Sequence, residues 1–322
     1  SPLVLNFTGT PSHDAVHDPQ QLHTKPMGYI IENRYLRYAL IAQATAHPHI
    51  DLYDNQVIAS YQQEAARVYV TLADQTNIDA PIMIACDGKF SELRTASGVV
   101  VTQGNYKQAA IVCTVQCARD HHGWAVELFL PSGPFAMLPM TEGRMNIVWT
   151  ERKPLADMYQ RLDDRQFLGA LLERFGSWLG DVSIVGPRFS YPLSYHHAQE
   201  YYKARTVFVG DCAHSIHPIA GQGLNLGFRD VAALCDAVVN ARNNGHDLAQ
   251  SFGTYARMRM PDNQMLLGVT HNLNHLFSND LEPIRLARDM GLAIVNAVTP
   301  VKGVLMRHAM GEFGHLPSLL QE

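Results

Sequence analysis

Two kinds of apolar pattern alternate along the chain, and they predict two kinds of element. Over residues 33–47 the apolar positions Leu36, Leu40, Ile41 and Ala44 recur at helical spacing, and Asn33 stands where a cap belongs. The next runs, "IDLYDNQVIASYQQ" and "RVYVTLAD", alternate and predict a hairpin-like pair of short strands. "APIMIACDG" (80–88) is different. Its nearly continuous apolar run ends in Asp-Gly, the pattern of a strand buried on both faces, and Ser91 is placed to cap a short helix after it. From Tyr106 to Thr150 the runs "QAAIVCTVQCA", "GWAVELFLPSG", "PFAMLPM" and "RMNIVWTE", separated by turn signals, predict an antiparallel meander.

"ADMYQRLDDRQFLGALLERFGSWLG" then reads as one amphipathic helix, "PRFSYPLSYHHAQEYYKA" as a strand leading to a turn, and "RTVFVG" as a second strand buried on both faces. Helical patterns dominate afterwards, over 222–244, 248–277, 282–298 and a last segment to about His308. The two buried strands, near 82–86 and 206–210, are alike in character, and both end in Asp-containing glycine turns. This predicts a parallel sheet whose carboxyl edge carries a ligand site, interrupted by a second, β-rich domain.

Composition narrows the classes. With 322 residues, 47% hydrophobic and 17% charged, a sizeable core is expected. A net charge of −5 and the lack of a basic block argue against a nucleic-acid binder. Cys86, Cys113, Cys117, Cys212 and Cys235 are odd in number and form no C-x-x-C, which reads as reduced, buried thiols of a cytosolic protein without a zinc site. No window holds 18 uninterrupted apolar residues, so no spanning helix is expected. "SPLVLNFTGT" has neither an initiator Met nor a basic n-region; it reads as the middle of a β-rich segment rather than a signal peptide, so the chain is expected to have lost its true start.

The candidate chemistry gathers in "TVFVGDCAHSIHPIAGQGLNLGFRDVAAL" (206–234). The strand delivers Gly210 and Asp211 to a sheet edge, where a carboxylate is placed to accept hydrogen bonds from sugar-like hydroxyls. Pro218 stiffens the loop. Gly221, Gln222 and Gly223 open a long helix whose free N–H groups and dipole favour an electron-rich group. A dinucleotide fingerprint needs its first Gly directly after the strand, and Gly221 lies eleven positions after Gly210, so a pyrophosphate reading of these glycines fails. A ligand between Asp211 and the helix start, with its planar ring near Pro218 to Asn225, fits better.

This stretch resembles the second flavin motif of the class A flavoprotein monooxygenases, the p-hydroxybenzoate hydroxylase-like group, matching it at Gly210, Asp211, Ala213, His214, Pro218, Gly221, Gln222, Gly223, Asn225, Gly227, Asp230 and Leu234. "CDGKFSELR" resembles the family's Asp-Gly motif at Asp87, Gly88, Ser91 and Arg94, and "ENRYLRYALI" resembles the segment whose arginine, here Arg34, approaches the flavin nucleotide. In wording, "HPIAGQGLNLGFRDVAAL" is nearest to the ubiquinone-biosynthesis hydroxylases.

The resemblance implies FAD, with Asp211 on the ribityl chain, the backbone of Gly221, Gln222, Gly223, Leu224 and Asn225 facing the pyrimidine end of the flavin, and Asp87 near the pyrophosphate. It implies NAD(P)H or a ferredoxin-type reductant, O₂, and hydroxylation of a polyprenyl phenol through a flavin C4a-hydroperoxide. The implied fold is α/β: a Rossmann-like FAD-binding domain lacking its first β-α-β unit, over 28–48, 78–100 and 200–322. Residues 1–27, 49–77 and 101–199 then form a β-rich substrate domain and connections. The family's opening G-x-G-x-x-G is absent, so the fragment itself is expected to be inactive and free of FAD.

Candidate pocket walls are Phe129, Phe135, Met137, Leu138, Pro139 and His217. His214 and His217 read as loop residues near a flavin rather than metal ligands, and His121-His122 and His196-His197 as solvated turns. Gly227 and Asp230 read as packing and helix-surface features. The last segment is either a helix pair packed on the sheet or a surface touching the membrane that holds a polyprenyl substrate, which makes the expected location cytoplasmic, or peripheral to the inner membrane. Two alternatives stand beside the main reading: an FAD monooxygenase of another hydrophobic ring compound, and a non-catalytic scaffold in a ubiquinone-biosynthesis complex.

Overall fold

A computed structural model describes residues 28–277 and 316–321. The chain divides into two compact units: one contains 107–192 with 28–36 and 274–277, the other 37–106, 193–273 and 316–321. Residues 49–77, expected with the substrate domain, thus fall in the unit that holds the Asp211 turn.

In the second unit, α1 (Asn33–Ala46) enters from the first, and β1 (Ile58–Gln63), β2 (Val68–Leu72) and β3 (Asn77–Ala80) form an antiparallel sheet. Asn33 is already inside α1; the cap position belongs to Glu32, whose carbonyl accepts the Tyr35 and Leu36 amides. β4 (Met83–Ala85) runs parallel to β11 (Thr206–Phe208), pairing Met83 with Thr206 and Ala85 with Phe208, and β10 (Tyr202–Lys203) covers the far side of β11. All three β11 residues are buried because β11 is central. β4 departs from its expected burial. It is the outer strand of this sheet among the described residues, and Ile84 is 48% exposed. Ser91 caps α2 (Glu92–Ala96) as expected, its Oγ accepting the Arg94 amide at 2.9 Å.

In the β-rich sheet, β5 (Val101–Cys117), β6 (Val126–Leu130), β7 (Gly133–Pro139), β8 (Arg144–Arg152) and β9 (Val182–Ala198) stand in the order β9-β5-β8-β7-β6. β6, β7 and β8 form the expected meander, but β5 pairs with β8 rather than with the next strand in sequence, β6. Register pairs Cys113 with Ile147 and Phe135 with Trp149. Strand alternation therefore puts Ile111, Cys113, Val115, Phe135, Met137, Ile147 and Trp149 into one apolar core. The helix expected over the following segment is two: α3 (Lys153–Gln160) and α4 (Asp164–Phe175). The chain stops and restarts because Asp163 Oδ1 accepts the Gln166 amide at 2.8 Å and caps a new helix. Phe167, Leu171 and Phe175, one face of α4, close the core.

The remaining elements belong to the second unit up to Leu273. After β11 comes a 3-10 turn (Gly210–Cys212), β12 (His214–Ser215), a second 3-10 turn (Ile219–Gly221), α5 (Gly223–Asn243) and α6 (Ser251–Phe277). Val207, Phe208 and Val209 pack with Ala233, Leu234 and Ala237 of α5 and Phe252 and Tyr255 of α6. No helix among the described residues is long and apolar enough to cross a membrane. The helix expected over 282–298 and the segment to His308 lie outside the described residues.

Candidate functional site

The site is built on the exit from β11. Gly210 adopts a left-handed φ of 61°, which favours glycine, and its amide donates to Asp230 Oδ2 at 3.1 Å. A Cβ on Gly227 would stand 3.6 Å from the Gly210 Cα, in ordinary van der Waals contact, so the turn lies directly on α5. Gly227 sits four residues into α5, about 6 Å along its axis from Gly223. Asp211, the next residue after this pinned glycine, is therefore held beside the first turns of α5, and it is exposed. Partial burial of the carboxyl raises its pKa above the usual range, while His214 and Lys89 pull it back.

The mouth of α5 is open to an acceptor. The Gln222 side chain makes no capping hydrogen bond to it, its first turn carries no acidic residue, and Gln222 Oε1 accepts from Asn225 at 3.4 Å. Among the described residues a Cβ at Gly221 or Gly223 would meet nothing within 4 Å, which leaves this backbone open to close approach by a ligand. Gly221 has φ 63°, Pro218 and Leu224 are exposed, and Pro218 starts the 3-10 turn that feeds the helix.

Arg94 joins the Asp-Gly loop to this turn. It is 7% exposed, and its guanidinium donates to the Cys212 carbonyl at 2.6 Å and to the Lys89 carbonyl at 3.1 Å. Asp87 lies on the same loop. Burial opposes its ionisation, but hydrogen bonds from Ser91, Cys212 and the Leu93 amide (3.3 Å) outweigh it and lower its pKa. Lys89 reaches Ser194 Oγ at 2.5 Å; burial lowers its pKa against the pull of Asp211. Asp87, Lys89, Asp211 and the α5 mouth thus lie on one rim. Arg34, in the other unit, pairs with Glu32 at 2.8 Å and lies over the Tyr35 ring.

Several sequence expectations change here. Asp230 is not a helix-surface residue. It is 0% exposed, and besides Gly210 it binds His214 Nε2 (2.5 Å), Arg259 Nε (2.8 Å) and Asn263 Nδ2 (3.2 Å). Burial would raise its pKa, but His214 and Arg259 outweigh that and lower it. His196 and His197 are not in a solvated turn; both are buried on β9, opposite Ser215 and His214 of β12. His121-His122 does form a turn, with His122 exposed. Cys86 and Cys235 are exposed rather than buried, because they face outward from the end of β4 and from α5. Cys212 is buried, and burial pushes its thiol up to about 12.

Of the expected pocket walls, Phe135 and Met137 are wholly buried in the β-rich core, and Phe135 stacks near Phe175 at 6.3 Å. Phe129 is 36% exposed, and Leu138 and Pro139 are half-buried. His217 is buried beside Pro218. Arg259 and Asn263 escaped the sequence reading, since they reach the Gly210 turn from α6 and carry no local motif.

Comparison with known proteins decides the family: residues 3–267 match the family described as FAD binding domain. The chain belongs to the class A flavoprotein monooxygenases. Two relatives of this flavoprotein monooxygenase cover nearly all of it. A ubiquinone hydroxylase, UbiL, of Rhodospirillum rubrum is 41% identical over 92% of this chain and 70% of its own length. A 3-demethoxyubiquinol 3-hydroxylase of Escherichia coli K12 is 32% identical over 92% of this chain and 76% of its own length. Among solved structures, p-nitrophenol 4-monooxygenase PnpA from Pseudomonas putida shares the fold at TM-score 0.72 and 16% identity, covering 88% of this chain and 72% of that one. CabE, an aromatic hydroxylase from angucycline biosynthesis, does so at 0.67 and 20% identity, covering 95% and 63%. The expected α/β FAD-binding fold with a β-rich domain therefore holds.

FAD is the cofactor of this monooxygenase family, and the residues present fit its flavin half. The uncapped amides of α5, the glycine backbone open at its Cβ side and an exposed carboxylate on a pinned turn are what an electron-rich ring with a polyhydroxy chain requires.

Proposed function

We propose that the protein carrying this chain hydroxylates the aromatic ring of a polyprenyl phenol in ubiquinone biosynthesis, with FAD, O₂ and NAD(P)H or a ferredoxin-type reductant. The observation that carries the reading is the shared rim: the Asp211 turn is fixed to α5 through Gly210–Asp230 and to the Asp-Gly loop through Arg94. The printed names of the two relatives supply the pathway.

In this reading Asp211 accepts hydrogen bonds from the ribityl hydroxyls. The backbone of Gly221, Gln222, Gly223, Leu224 and Asn225 faces the ring, and the positive end of α5 stabilises negative charge on it. Gly210 and Pro218 shape the approach, and Asp87 stands toward the pyrophosphate. Arg34 contacts the nucleotide from its own segment. Bound flavin supplies activation of O₂ for insertion into an electron-rich ring. The protein's part is to orient that ring and exclude water. Phe129, Leu138 and Pro139 are the walls assigned to the ring's pocket. A peripheral membrane contact and ubiquinone-pathway protein partners belong to the same reading.

The test is product formation. Protein loaded with FAD and given NADH or a reduced ferredoxin, O₂ and a short-chain prenyl methoxyphenol yields the ring-hydroxylated product and consumes one O₂ per product. A yellow, reducible protein that returns no hydroxylated prenyl phenol removes the substrate assignment. A protein that never takes up flavin but retains ubiquinone-pathway proteins supports the scaffold alternative.

A further inference from the structure

Immediately before Pro218 the chain buries an imidazole with incomplete hydrogen bonding. His217 is 0% exposed. Its Nδ1 accepts the Ile219 amide at 3.2 Å, which places the ring proton on Nε2. That Nε2 is buried and has no hydrogen-bond partner among the described residues. Leaving a buried donor unpaired is costly, and such groups are rare in native structures unless they have a use. Burial pushes the His217 pKa down to about 4, so the neutral N–H donor persists through the physiological range.

Its neighbours are aromatic and belong to the same unit. Tyr106 of β5 meets His217 edge to face at 4.8 Å. Tyr195 of β9 lies 5.5 Å from Tyr106, and His271 of α6 lies 5.2 Å from Tyr195. His271 Nδ1 and Tyr106 OH are 3.3 Å apart. Gly104 makes room for this cluster, since a Cβ there would stand 2.6 Å from the Tyr195 ring. Aromatic rings are at best weak acceptors for an N–H, and an oxygen atom would be a better partner for Nε2–H.

One fixed, uncharged donor among flat aromatic faces suits an oxygen on a planar ring. It suits a phosphate poorly, because a phosphate needs several donors or a cation. We propose that His217 Nε2–H donates to the ring oxygen of the phenolic substrate and selects rings that carry oxygen at that position. The inference rests on the ring-hydroxylation reading above. A site that hydrogen-bonds a substrate hydroxyl rejects the analogue lacking it far more strongly than an apolar pocket discriminates size.

The test uses FAD-loaded protein and two probes: 2-methoxyphenol bearing one prenyl unit, and the same ring with hydrogen in place of the hydroxyl. Affinities are read from perturbation of the flavin absorbance. The phenol is expected to bind the unaltered protein about 10- to 100-fold more tightly than the deoxy ring. His217→Phe is expected to erase that preference while leaving FAD affinity unchanged, and His217→Gln, which retains an N–H, to restore part of it. In ¹⁵N-histidine-labelled protein the His217 Nε2 proton should move downfield with the phenol and not with the deoxy ring, a readout that needs no variant. Equal affinity of both rings for the unaltered protein, equal loss of both in His217→Phe, or loss of FAD in that variant overturns the proposal. Failure of the loaded protein to bind either ring overturns the ring-hydroxylation reading itself.

Discussion

The interior of the β-rich unit is closed by large apolar side chains: Phe135, Met137, Ile147, Trp149, Phe167 and Leu171 are all at 0–1% exposure. Behind the Gly210 turn, burial is given to polar and charged groups. Asp230 and Asn263 are 0% exposed, His214 2% and Arg259 7%, and Asn263 extends the network through Tyr201 OH (3.1 Å) to His197 Nε2 (3.0 Å). Hydrophobic packing tolerates volume-conserving change and specifies shape only loosely, whereas a saturated polar network fails if one member is lost. The network lies where a turn must hold one carboxylate at a defined place beside a helix mouth. The two units thus differ in what they contribute, since one supplies a surface and the other a geometry.

The largest expected effect breaks that geometry. Asp230→Ala removes the acceptor shared by Gly210 N–H, His214, Arg259 and Asn263 and leaves a buried guanidinium with one carboxylate fewer. Loss of one partner from a buried ion pair costs about 3–5 kcal/mol, to be read as a lowered urea midpoint. Asp230→Asn, which keeps an oxygen for Gly210, should cost less. Adding Arg259→Met to Asp230→Ala should recover part of the loss; an additive double variant would show that the two residues are not coupled.

The same contrast governs what the sequence revealed. The meander, β11 and the long α5 were legible because apolar periodicity follows from local burial, and the Asp211 turn was legible because its glycines and carboxylate lie within one short motif. Asp230 was visible as a motif residue, yet helical spacing could not tell a surface carboxylate from a buried one. Its partners Arg259 and Asn263 come from another helix, and no local pattern records such a contact. His196-His197 failed for the same reason: a polar pair reads as solvated until β12 is seen to cover it. The break between α3 and α4 was in reach, since Asp163 precedes a fresh apolar periodicity, but the continuous helical pattern overrode that cap.

Acid should separate the two interiors. Burial lowers the pKa of His196, His197 and His217 to about 4 in the folded protein, from an unperturbed 6.5. Between those values the unfolded chain binds protons that the folded one refuses, so stability is full above pH 6.5 and falls as pH drops toward 4. Each histidine contributes at most about 1.4 kcal/mol per pH unit to that slope. All three lie in the unit of the Asp211 turn. The chain's tryptophans, Trp124, Trp149 and Trp178, all lie in the other, so their fluorescence reports on that unit alone. Flavin binding should be lost at a higher pH than the tryptophan signal changes, and His197→Phe should flatten the stability slope by about a third. Coincident transitions that ignore the variant would mean that the polar interior is not what acid attacks.

The smallest expected effect on stability isolates the functional carboxylate from the network behind it. Asp211 is exposed, and partial burial of its carboxyl raises its pKa. A raised folded-state pKa means that the ionised form is slightly disfavoured by folding, so at neutral pH Asp211 contributes nothing to stability that its removal would forfeit. Asp211→Ala should therefore leave the urea midpoint within about 0.5 kcal/mol of the unaltered protein, on the side of a small gain. Its position one residue beyond Gly210 puts it on the turn that the buried network holds. If Asp211 accepts the ribityl hydroxyls, FAD affinity should fall about tenfold or more with no loss of fold, the reverse of the balance expected for Asp230→Ala. An Asp211→Ala protein that binds FAD with unchanged affinity would separate the network from the flavin, and Asp230 would then be a stabilising residue of the fold alone.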